Sequence, residues 1–381
     1  MKSFKAGELL EVQIEKLSLG GNGIARHSGL VIFIPFSAPG DSLKIEITEV
    51  KKNFAEGRIL EILMPSSFRT KPPCPVFGTC GGCNWQHLLY SEQLNQKQLI
   101  LEEQLKGLID PRLIEIIQPS PLEFRYRNRI QLKSKAGKIG FFKRGSHEVV
   151  DINDCPITLQ EITAEIPKLR NNTDPNKLEK RLELQLDRQG KVHLSNEDSP
   201  FEGEGFSQIN EAQNQNLIRE LLNWCKPIQF SQFIDLYAGA GNFTFPIFEA
   251  FPKAKITAVE LHPKSVQIGR EKLKTRSLSP KQIEFYLSDV ENFLKRSLIP
   301  KDSLVLLDPP RIGCSENVIK YLAQQPLQRM FYISCNPSAL RRDILRLKSF
   351  NSRWQILRAK PFDMFPQTDH IETLVELGID T

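Results

Sequence analysis

From about residue 201 the chain alternates strand-like apolar runs with helical stretches, which restricts this half to a mostly parallel sheet flanked by helices. The first run is Gln232-Phe233-Ile234-Asp235-Leu236-Tyr237, followed by Ala238-Gly239-Ala240-Gly241-Asn242-Phe243. Glycines at 239 and 241 let the backbone pass close to a ligand where a strand gives way to a helix. Alone, such a turn says little. It gains weight from Ala254-Lys255-Ile256-Thr257-Ala258-Val259-Glu260, a second strand ending in an acid placed to accept two ribose hydrogen bonds. The set fits an adenosine-containing cofactor, NAD included. Val305-Leu306-Leu307-Asp308-Pro309-Pro310-Arg311 tips the reading toward S-adenosylmethionine, because ordinary Rossmann dehydrogenases lack a strand that delivers an acid and two prolines to the carboxyl edge. Loop capping is the plainer role for Glu260 and Asp308, but their positions at strand ends beside the inferred crevice favour a functional one.

Two later motifs put a thiol and a carboxylate on offer: Tyr332-Ile333-Ser334-Cys335-Asn336-Pro337 and Asp369-His370-Ile371-Glu372-Thr373. Carbon 5 of a pyrimidine is a poor nucleophile until something adds to carbon 6, and a cysteine thiolate is among the few side chains able to do so. Once carbon 5 carries a new methyl group its proton must be removed by a base, a role open to Glu372. A buried strand-end thiol and a surface strand charge are the structural alternatives. His370 is either a substrate contact or a turn-shaping residue.

The 381 residues suffice for two or three domains with substantial cores. No apolar run approaches bilayer length, and the N-terminal sequence shows no secretory signal, so a cytoplasmic protein without a membrane partner is expected. Residues 1–64 alternate apolar and polar positions in short runs separated by Gly20-Gly21-Asn22-Gly23 and Pro39-Gly40-Asp41, the pattern of a small all-β barrel. Residues 65–200 open with a Pro-rich linker and Cys74-x5-Cys80-x2-Cys83, with Cys155 far downstream. Three clustered cysteines plus a distant one favour an iron–sulfur cluster of the [4Fe-4S] type over zinc, whose ribbons usually carry two Cys-x2-Cys knuckles. Ser91 to Leu108 has helical spacing, with Leu94, Leu101, Leu105 and Leu108 on one side, and reads as a docking helix. Net charge is only +6, yet eight Lys or Arg and no acid fall between Phe124 and His147. Arg125, Arg127, Arg129, Gln131, Lys133 and Lys135 recur at every second position, so one extended strand would present its cations on one face, suited to RNA phosphates.

On these residues the chain resembles the RNA 5-methyluridine methyltransferase family. The resemblance is to the subgroup that joins a TRAM barrel, an iron–sulfur cluster and a class I methyltransferase domain, as in the 23S ribosomal RNA enzymes. It covers nearly the full length. The fold it implies is an α/β class I, Rossmann-like domain over 201–381, preceded by an OB-like TRAM barrel over 1–64 and a small β-rich iron–sulfur domain over 65–200. It further implies Cys74, Cys80, Cys83 and Cys155 as cluster ligands, and Gln208, Tyr237, Gly239, Asn242, Glu260, Asp289 and Asp308 at the S-adenosylmethionine site. Cys335 would be the nucleophile and Glu372 the base. Ala238 departs from relatives that carry cysteine there, at little consequence for a turn shaped by glycines. The implied partner is RNA, 23S rRNA above the transfer-RNA T-loop, with the chain acting as a monomer. Against a radical methylthiolating enzyme stands the Cys-x5-Cys spacing, where that class uses Cys-x3-Cys. Arg311 in place of an aromatic residue argues against amine methylation, and the intact Cys335, Glu372 and Asp308 set argues against a non-catalytic RNA-binding protein.

Overall fold

The computed structural model describes residues 4–171, 180–187, 189–196, 208–276, 278 and 282–379. Chain contacts gather into two compact units: Met1–Ile100, Leu122–Phe201 and Phe365–His370 form one, and Leu101–Pro121, Glu202–Met364 and Ile371–Thr381 the other.

The first unit contains two sheets. β1 (Leu9–Gln13), β2 (Lys16–Leu17), β3 (Gly23–His27), β4 (Leu30–Ile34), β5 (Ser42–Val50) and β6 (Phe54–Met64) form a six-stranded sheet in the order β1-β5-β6-β4-β3-β2. Alternate positions turn Leu10, Val12, Ile32, Ile34, Leu43, Ile45 and Ile47 into one aliphatic core, as the period-2 pattern requires. The Gly-Asn-Gly stretch, legible in sequence only as a turn, runs straight into β3.

A polar clamp closes this sheet. The fully buried carboxylate of Asp41 accepts from the Ala38 N–H (2.6 Å), the Ser66 N–H (2.9 Å) and both Nε and Nη2 of Arg69 (2.8 and 2.7 Å).

β7 (Arg129–Lys135), β8 (Lys138–Phe142), β9 (Val149–Asp151), β10 (Lys180–Leu186) and β11 (Val192–Asn196) make a five-stranded antiparallel sheet, ordered β11-β10-β7-β8-β9. Helix α1 (Tyr90–Leu105) begins in this unit. The expected leucine stripe is buried at Leu101 and Leu105, and the first half of the helix buries polar groups besides: Glu92, Gln93, Gln96 and Lys97 are all inaccessible. They are tolerated because they are bonded. Gln93 reaches the carbonyls of Trp85 and Leu88 and exchanges hydrogen bonds with Gln367, while Gln96 accepts from the Leu17 N–H (2.9 Å) and Lys97 donates to the Phe365 carbonyl (3.1 Å). Short helices α2 (Gln160–Thr163) and α3 (Ile166–Asn171) follow β9.

The second unit is a seven-stranded sheet of β12 (Gln232–Leu236), β13 (Lys255–Glu260), β14 (Ile283–Leu287), β15 (Ser303–Leu307), β16 (Arg329–Ser334), β17 (Trp354–Phe362) and β18 (Glu372–Ile379). Their order is β14-β13-β12-β15-β16-β18-β17, with β18 antiparallel to both neighbours. The helices are α4 (Glu211–Cys225), α5 (Thr244–Ala250), α6 (Pro263–Thr275), α7 (Val290–Arg296), α8 (Glu316–Gln324) and α9 (Pro337–Phe350). The near-continuous burial of β12, β15 and β16 is what a parallel sheet covered on both faces demands. No helix among the described residues is long and apolar enough to cross a membrane.

Removing one partner of a buried ion pair leaves the other charge stranded. Asp41→Ala is therefore expected to cost about 3 to 5 kcal/mol, read as a fall in the urea midpoint at unchanged slope.

Candidate active site

Strand order reverses between β12 and β15, and in open α/β sheets that reversal opens a ligand crevice at the carboxyl edge. Leu236 and Leu307 pair across it, so Tyr237 and Asp308, the next residues, both emerge at its mouth. Tyr237 has φ of 66°, a left-handed conformation that marks a constrained turn at this point. Gly239 follows at φ 55°, and a Cβ built there would meet nothing within 4 Å, so open space lies against the turn.

Glu260 shapes this turn: its carboxylate accepts from the Gly239 N–H (2.9 Å) and the His262 N–H (2.6 Å). Glu260 therefore caps the turn, and each carboxylate oxygen keeps a further lone pair. Asn242 exchanges two side-chain hydrogen bonds with Asn214 of α4 (2.9 and 3.0 Å). Asp289 is the N-cap of α7, accepting from the Asn292 N–H (2.8 Å) and pairing with the Asn292 amide. Gln208 is half-buried just before Asn210, which caps α4 and donates to Ser120 and the Met364 carbonyl.

A line of carboxylates runs along the carboxyl edge. Burial pushes Asp235 up to about 7 despite a 2.6 Å hydrogen bond from Thr244, and the Glu260 charge adds to it. Burial likewise lifts Asp308 to about 7, reinforced by Asp235. Glu372 is buried, and desolvation together with the Asp308 charge raises it well above the usual carboxylate range. Asp235 Oδ1 is buried without a hydrogen-bond partner. Such an edge favours a cationic ligand.

Cys335 joins this edge by strand register. β16 and β18 are antiparallel with Ser334 opposite Thr373, so the next step outward sets Cys335 opposite Glu372. Burial, then the Glu372 charge, push the Cys335 thiol up to about 12, while Arg311 and a backbone hydrogen bond pull it down. A thiol, carboxylates and a guanidinium therefore meet in the second unit. Sequence reading missed Asp235, Thr244, Asn214 and Arg311 as members; all but Arg311 sit in ordinary helix or strand patterns with no motif to flag them.

The remaining candidates lie in the first unit. Cys74, Cys80, Cys83 and Cys155 line one pocket with Gln86, Arg127 and Phe141. The Gly82 N–H points at the Cys80 sulfur (3.4 Å). Among the described residues no three His, Cys, Asp or Glu side chains converge tightly enough to hold a single metal ion. His370 stacks edge-on against Phe365 at 5.6 Å.

The basic stretch is not one strand. Of the alternating run 125–135 only Arg129 to Lys135 forms a strand, with Ile130 and Leu132 inward and Gln131 and Lys135 outward. Arg125 turns away at φ 53° and pairs bidentately with Asp154 (2.7 Å), while Glu148 lies within 4.0 Å of Lys138 and Lys143. Acids from neighbouring loops compensate charges that looked unopposed in the linear sequence.

The sheet order and carboxyl-edge crevice of the second unit define a methyltransferase fold. Residues 187–378 match the tRNA (Uracil-5-)-methyltransferase family and residues 4–60 the TRAM domain. An uncharacterized RNA methyltransferase of Bdellovibrio bacteriovorus is 43% identical over 98% of this chain and 96% of its own. A 23S rRNA (uracil(1939)-C(5))-methyltransferase of Salmonella typhimurium is 30% identical over 97% of this chain and 96% of its own. The crystal structure of Pyrococcus abyssi tRNA (uracil-54, C5)-methyltransferase with S-adenosyl-L-homocysteine superposes with a TM-score of 0.75 at 21% identity, covering 97% of this chain and 100% of that one. The chain belongs to the RNA uracil-5-methyltransferases and carries a TRAM domain at its N-terminus.

Thiolate, not thiol, is the reactive form. Iodoacetamide is expected to modify Cys335 slowly near neutral pH and about tenfold faster per pH unit up to at least about pH 9, measured by mass spectrometry of the Cys335 peptide. A plateau at lower pH contradicts the burial argument.

Proposed function

We propose that the chain transfers a methyl group from S-adenosylmethionine to carbon 5 of a uridine in 23S rRNA, through a covalent bond between Cys335 and carbon 6. The observation that carries this reading is the register that sets Cys335 against Glu372, at the edge where Asp308 closes the crevice. The line of raised carboxylates suits a sulfonium cation, and the open space beside Gly239 leaves room for the adenosine end. Bound there, the cofactor supplies an electrophilic methyl group.

Cys335 gives up its thiol proton to water and adds as the thiolate to carbon 6 of the uridine, with Arg311 offsetting the cost of its negative charge. Carbon 5 becomes electron-rich as the ring takes up that bond. Once carbon 5 is methylated, Glu372 removes its proton, the ring double bond re-forms and the Cys335 sulfur leaves. Burial strengthens Glu372 as a base by making its protonated form favourable. Gln208, Tyr237, Asn242, Glu260 and Asp289 surround the same crevice, with Glu260 directed to the ribose hydroxyls. Full-length similarity to a 23S rRNA enzyme favours ribosomal RNA, whereas likeness to the transfer-RNA enzyme extends only to the fold. The outward cations of β7 and the six-stranded N-terminal sheet are assigned to RNA, and the protein is assigned to the cytoplasm as a monomer.

Cys74, Cys80, Cys83 and Cys155 are proposed to hold a [4Fe-4S] cluster. Four thiols facing one pocket, with an amide directed at the Cys80 sulfur, suit anionic ligands. The chemistry moves no electrons, so the cluster's role is structural. Protein isolated without oxygen is expected to carry about four irons and the broad visible absorbance of a cluster, both lost in Cys83→Ser; a tightly bound zinc ion would refute the assignment.

With labelled methyl donor, 23S rRNA should take up label at one uridine and transfer RNA should not. Cys335→Ala should abolish turnover and covalent trapping by 5-fluorouridine RNA. Glu372→Gln should still form the adduct but release product on the order of 10³-fold more slowly. Normal turnover by either variant refutes its assigned role.

Protonating Asp308 or Asp235 removes negative charge from the site. As pH rises through about 7, where both deprotonate, S-adenosylmethionine binding should tighten, and that of the uncharged thioether S-adenosylhomocysteine should change less, as titration calorimetry would measure.

A further inference from the structure

Asp343 lies about two turns into α9, fully buried on the side facing the loop after β15. Its Oδ2 accepts from the Cys314 N–H (2.8 Å) and the Tyr332 hydroxyl (2.7 Å), and its Oδ1 from Arg342 Nε (2.9 Å). Arg342 in turn donates to the Ile312 carbonyl (2.6 Å), and Asn336 at the head of the helix donates to the Arg311 carbonyl (3.0 Å). Gly313 sits between these contacts at φ 79°. A Cβ there would stand 2.4 Å from Asp343 Oδ2, so the loop closes on the carboxylate only because residue 313 has no side chain.

Burying a carboxylate costs free energy that an apolar residue would not, and hydrogen bonds to the charge offset it only in a defined geometry. The geometry so defined is that of residues 311–314. Arg311 begins this loop, and its charge opposes those of Glu372 and Asp308 at the Cys335 sulfur.

We propose that Asp343 is a positioning residue for the methyl transfer: through the Cys314 amide and Arg342 it holds the Arg311–Cys314 loop, and so sets where the Arg311 guanidinium stands relative to the Cys335 sulfur. Around Asp343 the charged or titratable groups are Arg342 and Arg346 on its own helix, Tyr332 on β16, Cys314 on the loop and Tyr237 after β12. Around Cys335 they are Glu372 on β18, Asp308 after β15 and Arg311. The kinetic part of the proposal rests on Cys335 being the nucleophile; the loop-holding part does not.

The test compares Asp343→Ala, Asp343→Asn, Arg311→Ala and the Asp343→Ala/Arg311→Ala double variant in the full-length protein. Arg311→Ala is expected to slow iodoacetamide modification of Cys335 about tenfold at fixed pH, and Asp343→Ala to slow it by a similar factor. The double variant should be no slower than Arg311→Ala, because both changes remove one effect. Asp343→Asn, which keeps an acceptor for the Cys314 N–H, should restore part of the rate. In methylation assays Asp343→Ala should lower kcat by about 10- to 100-fold while the donor KM changes by less than about threefold. Unchanged Cys335 reactivity in a folded Asp343→Ala, or additive losses in the double variant, would overturn the proposal. If Asp343→Ala does not fold, Asp343→Asn and Gly313→Ala disturb the same loop, and wild-type Cys335 reactivity in both would overturn it equally. An active Cys335→Ala enzyme would sink the nucleophile assignment while leaving the modification experiment able to judge the loop.

Discussion

Everything at the candidate site depends on the antiparallel ladder between β16 and β18. Side chains in a strand alternate faces, so slipping one strand by a single residue would turn Glu372 away from the edge that Cys335 reaches. The ladder is held where slippage is costly. Tyr332, Ile333, Leu374, Val375 and Leu377 are all fully buried, and Glu376 is locked between Arg329 and Arg358 at 2.6 Å each. Register here converts two residues far apart in sequence into a facing pair.

Electrostatics then give the pair its character. An exposed cysteine beside an exposed glutamate would titrate near ordinary values. Within the sheet edge, burial and mutual repulsion raise Cys335, Glu372, Asp308 and Asp235 together. A site strained in this way is relieved by positive charge, and the one guanidinium acting on Cys335 sits on a loop that its own helix grips.

Much of this was legible in the residues themselves. The parallel sheet, the glycine turn, Glu260 at a strand end and Asp308 before two prolines follow from short-range spacing, and the structure places them at the ends and loops that spacing suggested, whereas Cys155 reaches the other three cysteines only through the fold. What was not legible depends on distant partners. The polar face of α1 reads as a flaw in a leucine stripe until Gln367 is seen opposite Gln93. Asp154 and Glu148 neutralise basic residues that look isolated because the turns bringing them together leave no periodic trace. Asp343 is an unremarkable helix residue until the loop with Cys314 folds against it.

The chain's path between its two units has a consequence for how the molecule is made. After β17 in the second unit, residues 365–370 belong to the first, where Asn84 pairs with Asp369, Tyr126 donates to the Pro366 carbonyl, and Gln93 meets Gln367 from 274 positions away; the chain then returns to the second unit as β18. During synthesis polar side chains of its first long helix therefore lack those partners until residues 365–370 have emerged. A fragment ending before residue 365 would leave these α1 side chains without those partners.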